Sequence, residues 1–216
     1  MHGELRVLQK LNPYEFGVEI VCMREGLNLN NWIYTNLDKY YSTFVGVPIL
    51  CAYTFPGKGS GDGIGDGHNS EVKTDRETGE EYYSYTAPSA ERIVGTLSDN
   101  IEDFRIEEID GEKWLIAKGK LFAFYAKELV DKIVRVGRMS VSVETEVFDS
   151  TKDGEIETFE RWSGIGISIL GENVQPAVPN AHVKQLAALK TEFNSLKLKA
   201  ASLITGNEID DEKKDE

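Results

Sequence analysis

Histidine is nearly absent from this chain: its 216 residues include only His2, His68 and His182. Serine chemistry that needs an imidazole to accept a proton has these three to draw on. Cysteine is scarcer still, with Cys22 and Cys51 alone, each inside an apolar run. Thiols in such runs are expected to be buried. No Cys-x-x-Cys spacing is present, which excludes the usual zinc pattern, and two thiols build no disulfide framework. Apolar stretches all fall short of the ~18 residues that cross a bilayer. The start, Met1-His2-Gly3-Glu4-Leu5, has neither the basic nor the apolar region of a secretory leader. A soluble, intracellular protein with no membrane partner is expected. Basic residues are also in deficit: 24 Lys and Arg against 37 Asp and Glu give a net charge of −13. Neutralising phosphates requires clustered Lys and Arg, so no nucleic-acid partner is expected.

What is present suits a folded core. Hydrophobic residues make up 40% and aromatics 10% of the chain, ordinary values for a globular domain. Strand-like runs cover residues 17–23, 44–54, 81–86, 92–97, 104–109, 113–124, 139–148 and 156–170. Pro48 marks the second of these as an edge or bent strand. Asp110-Gly111 and Asp153-Gly154 are tight-turn signals. Residues 27–41, with Asn28, Asn30 and Asn31, read as a helix or a structured loop. Residues 125–136 read as a helix with Leu129, Val130, Ile133 and Val134 on one face. Pro176 and Pro179 are expected to stop the sheet. The fold class is therefore α+β: a β-rich domain over 1–181 with a few helices around it.

The rest of the chain differs. Leu186, Leu189, Phe193, Leu196, Ala200 and Leu203 follow heptad spacing, so a C-terminal amphipathic helix is expected over 182–205. Residues 206–216 are acidic and expected to be disordered.

Two short stretches carry the chemistry. The first is a glycine-rich loop, Gly61-Asp62-Gly63-Ile64-Gly65-Asp66-Gly67-His68-Asn69. Glycine at this density gives backbone freedom rather than regular structure. The second is a strand, Arg138-Met139-Ser140-Val141-Ser142-Val143-Glu144. Residues two apart share a strand face, which puts Ser140, Ser142 and Glu144 on one side and Met139, Val141 and Val143 on the other. A serine hydroxyl becomes nucleophilic when an imidazole accepts its proton and a third polar group orients the ring. His68 is the candidate base, Ser140 or Ser142 the candidate nucleophile, and Glu144 a candidate orienting acid. The Gly-x-Ser-x-Gly elbow of α/β-hydrolases is missing. Asp62 and Asp66 raise a calcium reading, though the loop lacks the EF-hand ligand order and its closing Glu.

The order of these pieces resembles the prohead, or capsid maturation, serine proteases of tailed bacteriophages, which share a fold with the herpesvirus assembly proteases. The resemblance rests on Gly67-His68-Asn69, on Gly137-Arg138-Met139-Ser140-Val141-Ser142-Val143-Glu144, and on the strand running through Ile167-Ser168-Ile169-Leu170-Gly171 into Pro176-Ala177-Val178-Pro179-Asn180-Ala181. It covers about residues 40 to 182. It implies a barrel-like protease domain and a serine endopeptidase that needs no cofactor and no metal. Such an enzyme acts in the host cytoplasm, inside the viral prohead, cutting scaffold protein, major capsid protein and itself; a homo-oligomer is compatible with that setting. By position, His68 matches the family histidine and Ser140 the family serine, with Ser142 as the alternative nucleophile. The family places a His or an acid near the start of the last strand, where this chain has Ser163-Gly164-Ile165-Gly166. Glu160 or Glu144 is then the substitute. Oxyanion donors are expected on the loop after that strand, at Gly171 and Asn173. The alternatives are a non-catalytic head assembly or scaffold protein of the same fold, and a β-rich binding module that uses the glycine loop for calcium.

Overall fold

Strands supply nearly all the regular structure. In chain order they are β1 (Arg6–Asn12), β2 (Glu15–Arg24), β3 (Gly26–Leu27), β4 (Trp32–Tyr34), β5 (Pro48–Cys51), β6 (Glu71–Thr74), β7 (Glu81–Ser84), β8 (Arg92–Leu97), β9 (Phe104–Ile109), β10 (Glu112–Phe122), β11 (Arg138–Asp153), β12 (Ile156–Ile169) and β13 (His182–Lys184). Among the described residues two α-helices accompany them, α1 (Leu37–Tyr40) and α2 (Lys127–Val136). This computed structural model describes residues 6–12, 14–52, 71–84, 91–171, 174–179 and 181–184. All of these fall in one unit, Met1–Gln185. The glycine loop with His68, Asn173, the heptad stretch from 186 and the acidic tail lie outside the described residues.

The strand pairings form a closed circuit. β2 pairs with β13, β13 with β11, β11 with β12, β12 with β5, β5 with β8, β8 with β10, and β10 again with β2. A ring closes only if the strand direction reverses an even number of times. Seven strands meet that condition here because one contact, β12 with β5, is parallel. β1 and β9 extend the sheet beside β2 and β10. The expected β-rich α+β fold with barrel-like curvature is the fold observed.

Local sequence explains the joints. Asp110 and Gly111 take φ of 54° and 80° between the paired residues Ile109 and Glu112. That is the all-positive two-residue turn which Asp-Gly favours. At the tip of β11–β12, Asp153 pairs with Ile156, so the loop is Gly154-Glu155, one residue later than expected. Helix α2 buries Leu129, Val130 and Ile133. It ends at Gly137 (φ 74°), whose N–H bonds the Ile133 carbonyl at 2.8 Å, as glycine permits after a helix.

Four expectations need correction. β5 is not an edge strand: it lies between β12 and β8. Pro48 is tolerated because it is the first residue of the strand, where a missing N–H costs least. Residues 44–47 are not strand: Phe44 ends a 3-10 turn, Tyr41–Phe44. The segment 27–41 holds the small β3–β4 hairpin before α1, and Asn28 shapes it by accepting from the N–H groups of Asn30 and Trp32. The sheet does not stop at the prolines: His182–Lys184 is a strand, so the expected helix does not begin at 182.

The core lies on one face of the wall. Cross-strand partners share a face, and the sets Val141–Ile169–Cys51 and Val143–Ile167–Ile49 run across β11, β12 and β5. Val141, Ile167, Ile169, Ile49 and Cys51 are all at most 1% exposed, while Val143 is half-buried. Met139 belongs to this apolar face and is also buried.

Candidate functional site

The opposite face of the same wall is polar. Ser140, Ser142 and Glu144 alternate along β11 with the apolar set, and all three are half-buried. Directly across from Ser142 stands Ser168 of β12, and across from Glu144 stands Gly166. The strand alternation expected from sequence thus holds, and the hairpin adds a second row that sequence reading did not single out.

That second row organises the carboxylates. Ser168 is fully buried. Its hydroxyl donates to Glu91, which precedes β8 and is 3% exposed, and faces Glu144 Oε1 at 3.3 Å. Glu144 can fold toward β12 because position 166 has no side chain. A Cβ there would stand 2.8 Å from Glu144 Oε2 and 3.1 Å from Leu50. Gly166 is therefore the gap that receives the Glu144 carboxylate.

Ser140 sits where the wall changes partner. Its carbonyl accepts from Leu170 N–H of the β12 end at 2.9 Å, and on its other side its register partner is His182 of β13. The backbone of a second histidine thus runs beside the serine favoured from sequence. Gly171 is buried, and its carbonyl accepts from Val174 N–H at 3.1 Å.

Glu160 is not part of this cluster. It is exposed on the outer arm of the β11–β12 hairpin and accepts from the Thr151 hydroxyl at 3.1 Å. About ten positions separate it from Leu170, roughly 30 Å along a strand. The carboxyl group that lies on the serine face is that of Glu144, and Glu91 reaches the same Ser168 hydroxyl. Only spatial pairing reveals Glu91, since it lies 77 positions from Ser168.

His68 lies outside the described residues, but the anchors of its segment do not. Cys51 pairs with Arg92 across β5 and β8, and with Ile169 across β5 and β12. Cys51 therefore lies beside Ile169, the chain neighbour of Ser168, and Arg92 directly follows Glu91. A cavity of about 210 Å³ lies against Val141, Ser142 and Val143, walled by Cys22, Tyr34 and Val178. Burial pushes the Cys22 thiol far above its ordinary range and holds it neutral. Burial also raises the Tyr34 phenol, partly offset by its bond to Thr145. No group of His, Cys, Asp and Glu able to hold a metal ion occurs among the described residues, and no described helix is long and apolar enough to cross a membrane.

A family model described as the YonD N-terminal domain matches residues 14–206. No curated protein and no solved structure matches the chain.

Proposed function

The chain belongs to the YonD N-terminal domain family, and we propose, from the serine face of β11, that this member is a serine endopeptidase. The observation that carries the reading is the juxtaposition of Ser140, Ser142 and Glu144 on one half-buried strand face, with Ser168 and Glu91 behind Glu144. Exposed strand serines need no such support.

In this reading Ser140 Oγ attacks the scissile carbonyl and His68 takes its proton, with Ser142 as the alternative nucleophile. The resulting oxyanion is held by N–H donors after β12, at Gly171 and Asn173. The imidazolium returns the proton to the leaving amine as the C–N bond breaks, and water then hydrolyses the acyl-enzyme. Glu144 stabilises the positive charge that develops on the imidazole. No metal or cofactor has a part in these steps. The setting that suits such an enzyme is the interior of an assembling phage head, with scaffold and capsid proteins as substrates.

The test is intact mass over several days, at high protein concentration, for wild type beside Ser140→Ala, Ser142→Ala, His68→Ala and His182→Ala. Truncation blocked only by Ser140→Ala and His68→Ala establishes nucleophile and base together. Block by Ser142→Ala instead moves the nucleophile two residues along the same face. Block by His182→Ala and not His68→Ala moves the base to β13. Intact wild type in the presence of capsid and scaffold substrates rejects the protease and favours a non-catalytic assembly protein.

A further inference from the structure

We propose that Glu91 is a positioning residue for this site: acting through the buried Ser168 hydroxyl, it sets where the Glu144 carboxylate rests beside Ser142. The proposal rests on the protease reading only for the consequence of that placement. Three observations carry it. Ser168 is fully buried and directly opposite Ser142. Its one hydroxyl proton faces two carboxyl groups, with Glu91 the nearer and Glu144 at 3.3 Å. Glu144 occupies a gap that exists because residue 166 is glycine.

A hydroxyl donates one hydrogen bond at a time. Two carboxyl groups on one serine therefore compete for it, and the stronger acceptor holds the proton. Glu91 is fixed by burial at 3% exposure and holds Ser168 toward itself. Glu144 is left reaching over Gly166 at longer range, with its carboxylate on the face that carries Ser142 and Ser140. Weakening Glu91 as an acceptor releases the Ser168 proton to Glu144, because an ionised acceptor outcompetes a neutral amide. Deleting the Ser168 hydroxyl has the reverse effect on Glu144, which loses a donor outright.

The two changes therefore push Glu144 in opposite directions, a signature that general loosening of the wall does not produce. The experiment uses the full chain with carbon-13 labelled glutamate, reading the Glu144 carboxyl resonance at fixed pH in wild type, Glu91→Gln and Ser168→Ala. Backbone amide spectra confirm that each variant is folded. Glu144→Gln assigns the resonance. The same samples are treated with a fluorophosphonate probe, and the rate of serine labelling is read by intact mass.

The expected result is displacement of the Glu144 resonance in opposite senses in the two variants. Labelling slows in both, by about a hundredfold if the carboxylate moves by about 1 Å. An unmoved resonance in folded variants, or one that moves the same way in both, overturns the linkage. A displaced resonance with an unchanged labelling rate overturns the positioning role. Wild type that takes up no probe at all rejects the protease reading, and the carboxyl resonance then decides the Glu91 linkage alone.

Discussion

Along β2, β9 and β10, charged side chains on the wall meet opposite charges. Arg105 bonds Glu19 at 2.8 Å, Lys120 bonds Glu15 at 2.9 Å, and Arg24 bonds Glu112 at 2.7 Å. Along β11 and β12 the polar row is built from hydroxyls and carboxylates, with Ser168 between Glu91 and Glu144. The first arrangement neutralises charge at its own wall and asks nothing of a partner. The second gathers two carboxyl groups around one buried hydroxyl, directly across the strand pair from Ser142. One barrel thus carries a wall of charged pairs and, in the reading proposed above, another that serves catalysis.

The largest expected effect lies in the stable wall. Leu115 is fully buried, and Leu115→Ala should cost about 2–5 kcal/mol, read as a lower urea midpoint with serine labelling per folded molecule unchanged. Glycines sharpen the contrast next. A Cβ at Gly95 would meet the Lys120 backbone carbonyl at 2.2 Å, so Gly95→Ala should cost about 1–3 kcal/mol. A Cβ at Gly166 meets only the movable ends of the Glu144 and Leu50 side chains. Gly166→Ala should therefore cost about 1 kcal/mol or less, yet slow fluorophosphonate labelling, because it evicts the carboxylate from its place. Equal stability losses for the two alanines would erase the distinction between the walls.

The smallest effect belongs to a surface ion pair. Asp103 is held below its ordinary range by its bond to Lys118, then by that to Ser98. A depressed carboxyl stabilises the fold above its unfolded pKa and loses that contribution as pH falls through its folded one. Asp103→Asn should therefore lower stability near neutral pH by less than about 1 kcal/mol, given its partial exposure. The gap to wild type should close in strongly acidic buffer. Urea midpoints across pH check this.

Elements with strong local signals are legible in the amino-acid order. Strands β8 and β9 begin and end at the residues expected, because alternation and Asp110-Gly111 leave little choice. The polar face of β11 follows from its period of two. The β3–β4 hairpin escapes such reading because its turn is shaped by the Asn28 side chain rather than by a glycine pair. β13 escapes because three residues carry no periodicity, and it is a strand only where β11 and β2 offer free edges. Glu91 escapes because a carboxylate just before a strand looks solvated until Ser168 is brought against it. Ser163-Gly164 has no acid to offer, and its glycine serves packing, since a Cβ there would lie 2.5 Å from the Phe44 ring.

The pairing of Val183 with Ile20 has a consequence in time. It joins opposite ends of the described chain, and contacts of such separation form late and slowly because a long loop must close first. On the ribosome, β2 and β11 are both made before the short strand that bridges them. Until residues 182–184 emerge, the Arg138–Ser140 stretch of β11 and Ile20 of β2 lack the strand that joins them, and an unpaired stretch of strand is a template for pairing with other chains. The ring therefore closes only once residues 182–184 have been made, and Ser140 gains its register partner His182 with that step.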